Sequence, residues 1–176
     1  YLVTAARPDL VMLVDAEARK VVKTHKIPNT SMGNSPGALV PSKDGKVVYV
    51  IHNRWESVSG INLDTGKEVF RADLSTPGVR AKAPYAIDLS PDGKELAVYV
   101  NETRLLPGEY KVMDPYIAIF DTSSGVNAKP VRKLDAPRRV SSLIYSPDYQ
   151  KLYAYSWDML ALDPKSGKQI AKDACR

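Results

Sequence analysis

An all-β fold built from one repeated four-stranded unit is what this sequence predicts, on three observations. A turn-and-strand phrase recurs: "PSKDGKVVYVI" (41–51), "SPDGKELAVYV" (90–100) and, altered, "SPDYQKLYAYS" (146–156). A second phrase follows each, an aliphatic run closing on Asp and then a turn: "GINLDTGKEV" (60–69), "IAIFDTSSG" (117–125) and "LALDPKSGKQI" (161–170). No stretch keeps a helical period beyond about two turns.

The first unit covers approximately 1–27. Its strands are "YLVTAAR" (1–7), "LVMLVD" (10–15) and "KVVKTHKI" (20–27), in the B, C and D positions, with strand A lacking. The second unit, 37–74, has all four: "GALVPS" (37–42), "KVVYVIHN" (46–53), "SVSGINLD" (57–64) and "KEVFRADL" (67–74). The third, 83–134, reads "AIDLS" (86–90), "ELAVYVN" (95–101), "YIAIFD" (116–121) and "PVRKLD" (130–135). The fourth, 140–174, reads "SSLIYS" (141–146), "KLYAYS" (151–156), "MLALD" (159–163) and "QIAKDA" (169–174). Val, Ile and Tyr fill these runs, with partial alternation.

The turns have a mechanism. In "DGK" and "DTGK" the Asp side chain caps the turn and Gly accepts positive φ. Aligned on Lys46, Lys94 and Lys151, the first phrase returns roughly every 50 residues. The second is aligned on Asp15, Asp64, Asp121 and Asp163. Four antiparallel strands repeated at about this period are the pattern of a β-propeller blade. The last unit leaves no spare strand to complete the first. The chain therefore reads as about four blades of a larger propeller, and a closed four-bladed ring is the competing reading.

The third unit carries extra residues between strands B and C, "NETRLLPGEYKVMDPY" (101–116). They read as a loop and as a candidate partner or substrate contact.

Composition narrows the functional classes. Of 176 residues 44% are hydrophobic and 26% charged, the balance of an ordinary globular chain. No apolar run approaches the roughly 18 residues of a membrane helix. The opening "YLVTAARPDL" reads as a strand, not a secretory signal. The net charge of +5 is spread out, apart from "VRAKAP" (79–84) and "APRRV" (136–140). Without a basic helix or a stacking platform, an acidic protein partner fits better than nucleic acid. The single cysteine, Cys175, has no internal disulfide partner.

Several motifs dissolve on inspection. "GINLDTGKE" lacks both the spacing and the Ser or Thr of a phosphate loop, and is a hairpin turn. His25 and His52 lie in different units without metal-ligand spacing. A metal-dependent propeller hydrolase needs acidic ligands around its axis, and the A strands offer only Asp88. "NTS" (29–31) and "NET" (101–103) match the glycosylation pattern, a match common by chance. Three polar-aromatic clusters remain, "HNRWES" (52–57), "NETR" (101–104) and "SWDM" (156–159). All follow strand B, so they are expected at one face, with Trp55 and Trp157 as anchors.

A family resemblance runs from the first residue to about Lys168. It is carried by "YLVTAARPDLVMLVDAEARKVV" (1–22), "INLDTGKEVFRADLSTP" (61–77), "LSPDGKELAVYVNETRL" (89–105) and "DAPRRVSSLIYSPDYQKLYAYSWDMLALDPKSG" (135–167). Outside the repeat it includes "APRRV" and "TRLLPGEYKV" (103–112). These stretches resemble the β subunit of quinohemoprotein amine dehydrogenase. The resemblance implies a seven-bladed propeller, of which this chain holds the first four or so blades. It implies a periplasmic heterotrimer that oxidises primary amines to aldehydes. A dihaem cytochrome c subunit and a small subunit bearing cysteine tryptophylquinone would be the partners, and this chain would not itself be catalytic.

The chain has neither CxxCH for haem c nor a Cys–Trp arrangement for the quinone, so no cofactor is expected in it. Its expected role is a scaffold that walls the amine pocket and holds the quinone subunit. Candidate pocket or partner contacts are His52, Asn53, Arg54, Trp55, Asn101, Glu102, Arg104, Tyr110, Arg138, Arg139, Trp157 and Asp158. A standalone surface-layer-type propeller without a redox partner is the alternative.

Overall fold

The computed structural model describes residues 1–6, 9–28, 36–52, 56–81 and 85–174. Strands form where the apolar runs lie. The first sheet holds β1 (Leu2–Ala6), β2 (Leu10–Asp15) and β3 (Lys20–Lys26). The second holds β4 (Pro36–Pro41), β5 (Val47–His52), β6 (Ser57–Asn62) and β7 (Glu68–Asp73) in that order. A short β8 (Val79–Ala81) precedes the third sheet, which holds β9 (Ile87–Leu89), β10 (Glu95–Val100), β13 (Tyr116–Asp121) and β14 (Arg132–Asp135). The fourth holds β15 (Ser142–Tyr145), β16 (Leu152–Tyr155), β17 (Asp158–Leu162) and β18 (Gln169–Ala174). All neighbours are antiparallel, as hairpin connections require.

The extra residues of the third unit are not a loop. They form a hairpin, β11 (Glu102–Leu106) and β12 (Glu109–Val112), around Gly108 at φ 77°. Strand β11 also pairs with β8, which makes a separate three-stranded sheet. The alternation of "TRLLPGEYKV" is too short to announce a strand pair on its own. The partner β8 lies between the second and third units as read from the sequence, in a stretch noted only for its charge.

The sheets stack face against face. Val11 and Ile27 of the first pack on Val48, Val50, Ile61 and Leu63 of the second. Tyr49, Ile51, Val58 and Phe70 pack on Leu96, Val98, Ala118 and Phe120 of the third. Ala97, Tyr99, Ile117 and Ile119 pack on Leu143, Leu152, Ala154, Leu160 and Leu162 of the fourth. Phe70 meets Tyr49 and Phe120 edge-on, with centroids 5.5 and 6.1 Å apart. The leading strands β1, β4, β9 and β15 sit side by side in that order. There the Asp88 carboxylate accepts the Tyr145 amide at 2.6 Å, tying the third sheet to the fourth.

The A–B turns share one polar lock. Ser42, Ser90 and Ser146 hydroxyls donate to Asp44, Asp92 and Asp148 at 2.6, 2.7 and 2.6 Å. The same hydroxyls accept the amides of Val47, Glu95 and Lys151. Those bonds correct the alignment on lysines. Gln150, not Lys151, is the counterpart of Lys46 and Lys94. The left-handed position is Gly45, Gly93 and, in the fourth sheet, Tyr149 at φ 58°.

A similar correction applies to the C–D turns. The capping carboxylate or amide is Asp15, Asn62, Asp121 or Asp163, whose Oδ1 accepts amides two or three residues on. The residue four positions after each cap is left-handed: Arg19, Gly66, Gly125 and Gly167. Asn62 replaces Asp in the second unit, which hid the equivalence. Asp64 lies two residues later and pairs with Lys23 of the first sheet at 2.9 Å.

The C–D turns of the second, third and fourth sheets also touch the last strand of the preceding sheet. A Cβ on Gly66 would come 2.6 Å from His25 Nδ1, whereas one on Gly45 would meet nothing within 4 Å. We expect Gly45→Ala to cost about 1–2 kcal/mol through backbone strain alone. Gly66→Ala should cost clearly more, because His25, whose Nε2 lies 2.8 Å from the Leu63 carbonyl, must also yield. Urea denaturation of both variants measures the difference.

Candidate contact surface

Asn53, Arg54 and Trp55 lie outside the described residues, as does Cys175. Glu56 and Ser57 of that cluster are described, and both are buried. Glu56 sits at φ 51° and 5% exposure, facing the segment that leads into β8. Arg80 clamps it twice, Nε on Oε2 at 2.8 Å and Nη2 on Oε1 at 2.7 Å. The Ser75 hydroxyl and the Ala81 amide also donate to Oε2. Burial pushes the Glu56 carboxyl upward, but the Arg80 and Ser75 hydrogen bonds outweigh it and hold the group below its ordinary range. Sequence reading took this residue only as part of the "HNRWES" cluster expected at the surface; a Glu in a turn carries no periodic signal of burial.

His52 departs from its expected place. It ends β5 on the face turned toward the first sheet and is wholly buried. Burial, then the positive charge of Arg71, lowers its pKa to about 4. It is a core histidine, not a surface contact.

The remaining candidates fall into two groups. Asn101 is half-buried at the entry to the inserted hairpin, and the half-buried Glu102 accepts the Tyr116 hydroxyl. Burial, then that bond to Glu102, raises the Tyr116 pKa. Arg104 and Tyr110 are exposed on the hairpin. Glu102 therefore anchors the hairpin's base while Arg104 and Tyr110 face solvent.

The second group lies where β14 leads into β15 and β16 turns into β17. Trp157 is 74% exposed, and the Arg139 guanidinium lies over its ring at 6.0 Å. The Arg139 amide donates to Tyr99 Oη at 2.9 Å, and Ser156 Oγ donates to the Arg138 carbonyl at 2.9 Å. The first bond fixes the "PRRV" turn against β10 and the second fixes it against "SWDM". Arg138 reaches Asp114, at the exit of the inserted hairpin, at 3.4 Å. Asp158 pairs with Lys172 at 2.6 Å. Between them lies an open cleft of about 420 Å³ lined by Pro137, Arg138, Trp157, Leu160 and Lys172, among others. The structure thus brings Arg138, Arg139, Trp157 and Asp158 together, with the hairpin's exit at their edge. Such a surface, an exposed indole with guanidinium groups, suits protein contact. Among the described residues no three His, Cys, Asp or Glu side chains group as metal ligands.

No family model matches the chain, and no curated protein matches it. Solved structures do. The Kuenenia stuttgartiensis hydrazine synthase matches over 96% of this chain at TM-score 0.64 and 21% identity. U3-55K matches over 84% at TM-score 0.63 and 16% identity. A Bacteroides fragilis protein assigned as a 6-phosphogluconolactonase matches over 92% at TM-score 0.62 and 19% identity. The fold is all-β, of propeller type. The chain spans 44%, 41% and 47% of those three chains. No helix among the described residues is long and apolar enough to cross a membrane.

Two outcomes are expected here. Glu56→Gln keeps the volume but weakens the Arg80 clamp, and should cost about 2–4 kcal/mol in denaturant titrations. Acid should also destabilise the fold through His52. Its folded pKa of about 4 lies below the unfolded 6.5, so the unfolded state takes up the proton first. The contribution is full above pH 6.5 and is lost as pH falls toward 4, by about 3 kcal/mol. In His52→Asn that slope of stability against pH should vanish.

Proposed function

We propose that this chain is the cofactor-free propeller subunit of a periplasmic quinohemoprotein amine dehydrogenase. It holds a quinone-bearing subunit against a dihaem cytochrome c subunit and walls the amine pocket. The partners do the chemistry: the amine gives up two electrons and its α-proton, aldehyde and ammonia leave, and the electrons pass to haem c. The sequence resemblance along nearly the whole chain supports this reading. One structural observation carries it, the exposed Trp157–Arg139 stack beside Arg138. This surface is backed through Tyr99 and Ser156.

Backing of that kind suits a docking surface, because little backbone freedom is left to lose on binding. The guanidinium groups favour acidic segments of a partner.

Purification of the native assembly tests the proposal. The expected result is co-purification with a haem protein whose c-type bands are reduced on adding n-butylamine. Trp157→Ala and Arg139→Ala should each weaken subunit association about tenfold or more without changing the melting temperature of this chain. A colourless chain that purifies alone, with no amine-dependent spectrum, overturns the proposal in favour of a standalone surface-layer-type propeller.

A further inference from the structure

The inserted hairpin belongs to a sheet of its own, and one edge of that sheet is bare. The order is β12, β11, β8, so β12 and β8 are the edge strands. The β8 edge is occupied. There the Ala81 amide donates to Ser75 Oγ at 2.8 Å and to Glu56 Oε2 at 3.1 Å, and Thr76 bridges Val79. The outer strand of the second sheet is covered as well, its Arg71 carbonyl accepting the Ala128 amide at 2.9 Å. On the outer side of β12 no described residue pairs, and all four of its residues, Glu109–Val112, are exposed. An open edge of this kind is a template for another strand.

The register says which groups the edge offers. The Met113 amide donates to the Glu102 carbonyl across the hairpin, whereas the Leu105 amide turns away to the Gly78 carbonyl beside β8. Tyr110 lies opposite Leu105 and Val112 opposite Thr103. By the alternation of an antiparallel pair, Tyr110 and Val112 therefore point their N–H and C=O groups to the free side. Side chains alternate too. Tyr110 and Val112 share one face with Leu105, and these three are 73%, 55% and 42% exposed. Lys111 shares the other face with Arg104, which lies directly opposite it. Like charges so placed weaken a strand pair. Among the described residues neither forms an ion pair.

We propose that β12 accepts an added strand from a partner protein, an extended segment that alternates acidic and aliphatic side chains. Main-chain bonds to Tyr110 and Val112 seat it. Its aliphatic side chains lie along Tyr110 and Val112, and its carboxylates face Lys111 and Arg104. Charge selects this class of partner. A lysine on an open edge repels a basic strand and resists desolvation by an apolar one. A carboxylate satisfies Lys111 and relieves its repulsion with Arg104 together. A second copy of this chain brings the same two cations to the edge, so it fits poorly. Glu109, beside the hairpin turn, is the one opposed charge on that face, and the acidic stretch begins beyond it. This surface shares no residue with the Trp157–Arg139 stack, and the inference does not need the amine dehydrogenase reading.

Fluorescence anisotropy of two labelled, acetylated octapeptides with the full chain tests it, one alternating Glu and Val, the other Lys and Val. The acidic peptide should bind and the basic one should not. Arg104→Glu with Lys111→Glu should reverse the preference, by about tenfold or more for each peptide. Val112→Pro removes an outward N–H but none of the hairpin's own bonds, and should weaken the acidic peptide about tenfold. Methylating alternate amides of the acidic peptide separates strand addition from charge attraction alone. One alternate set faces β12, and its methylation should abolish binding; methylation of the other set should leave binding intact. If both methylated peptides bind like the parent peptide, or the charge-reversed chain still prefers the acidic one, the proposal falls. A dimer of the free chain that Val112→Pro dissociates and that excludes the acidic peptide also overturns it, because the edge then belongs to a second copy.

Discussion

Each large sheet in this chain is apolar on both faces, and neither face can be covered from within its own sheet. Val48 and Val50 point one way from β5, Tyr49 and Ile51 the other, and all are at most 5% exposed. A lone antiparallel sheet of this kind keeps one face wet and polar. The second and third sheets meet this with a neighbour on each side. The neighbours are supplied by repeating the unit, so that one sequence pattern solves the burial problem of the next. The stack in the order β1, β4, β9, β15 follows from that constraint.

Face-to-face packing does not fix the relative height of two sheets, because aliphatic rows slide past one another at little cost. The polar contacts between sheets supply the register. Asp88 takes the Tyr145 amide. Arg132 grips Glu95 with both terminal nitrogens, at 2.8 and 2.6 Å, and donates to the Pro164 carbonyl of the next sheet. Tyr149 completes that group by donating to Glu95, and burial followed by that bond raises its pKa to about 12. This explains why a tyrosine stands in the left-handed position that glycine fills in the sister turns. The backbone strain, of order 1 kcal/mol, is offset by a hydroxyl that locks the third sheet to the fourth.

Much of this could be read from residues alone. The strands and the order of the units came from turn chemistry and alternation, which are local signals. What sequence could not give was the identity of equivalent atoms. Asn62 caps its turn just as Asp121 does, but an alignment on aspartate slides to Asp64. Lys151 drew the eye one position too far because Tyr149 had replaced the glycine. The hairpin β11–β12 was missed because its stability rests on β8 and on the Glu102–Tyr116 bond, both distant in sequence. His52 and Glu56 were misjudged for a related reason. A polar residue beside a strand is exposed or buried according to what the neighbouring segment lays over it, here the first sheet over His52 and the segment before β8 over Glu56.

These constraints divide the two ends of the stack. At the A–B and C–D turns nearly every polar group is committed: Ser to Asp, Asx to amides, and left-handed residues to fixed backbone. A change there is felt by the turn itself and, at Gly66 and Gly167, also by the last strand of the preceding sheet. At the opposite end the connections share no common lock. One folds on the buried Glu56, gripped by the half-exposed Arg80, one grows into a hairpin, and one carries Trp157 between Ser156 and Asp158. Each connection is held by its own bonds, so each can vary without disturbing the repeat. Freedom to vary above a rigid frame is what recognition requires. The exposed indole and its guanidinium neighbours therefore belong to the end of the molecule where the fold imposes least.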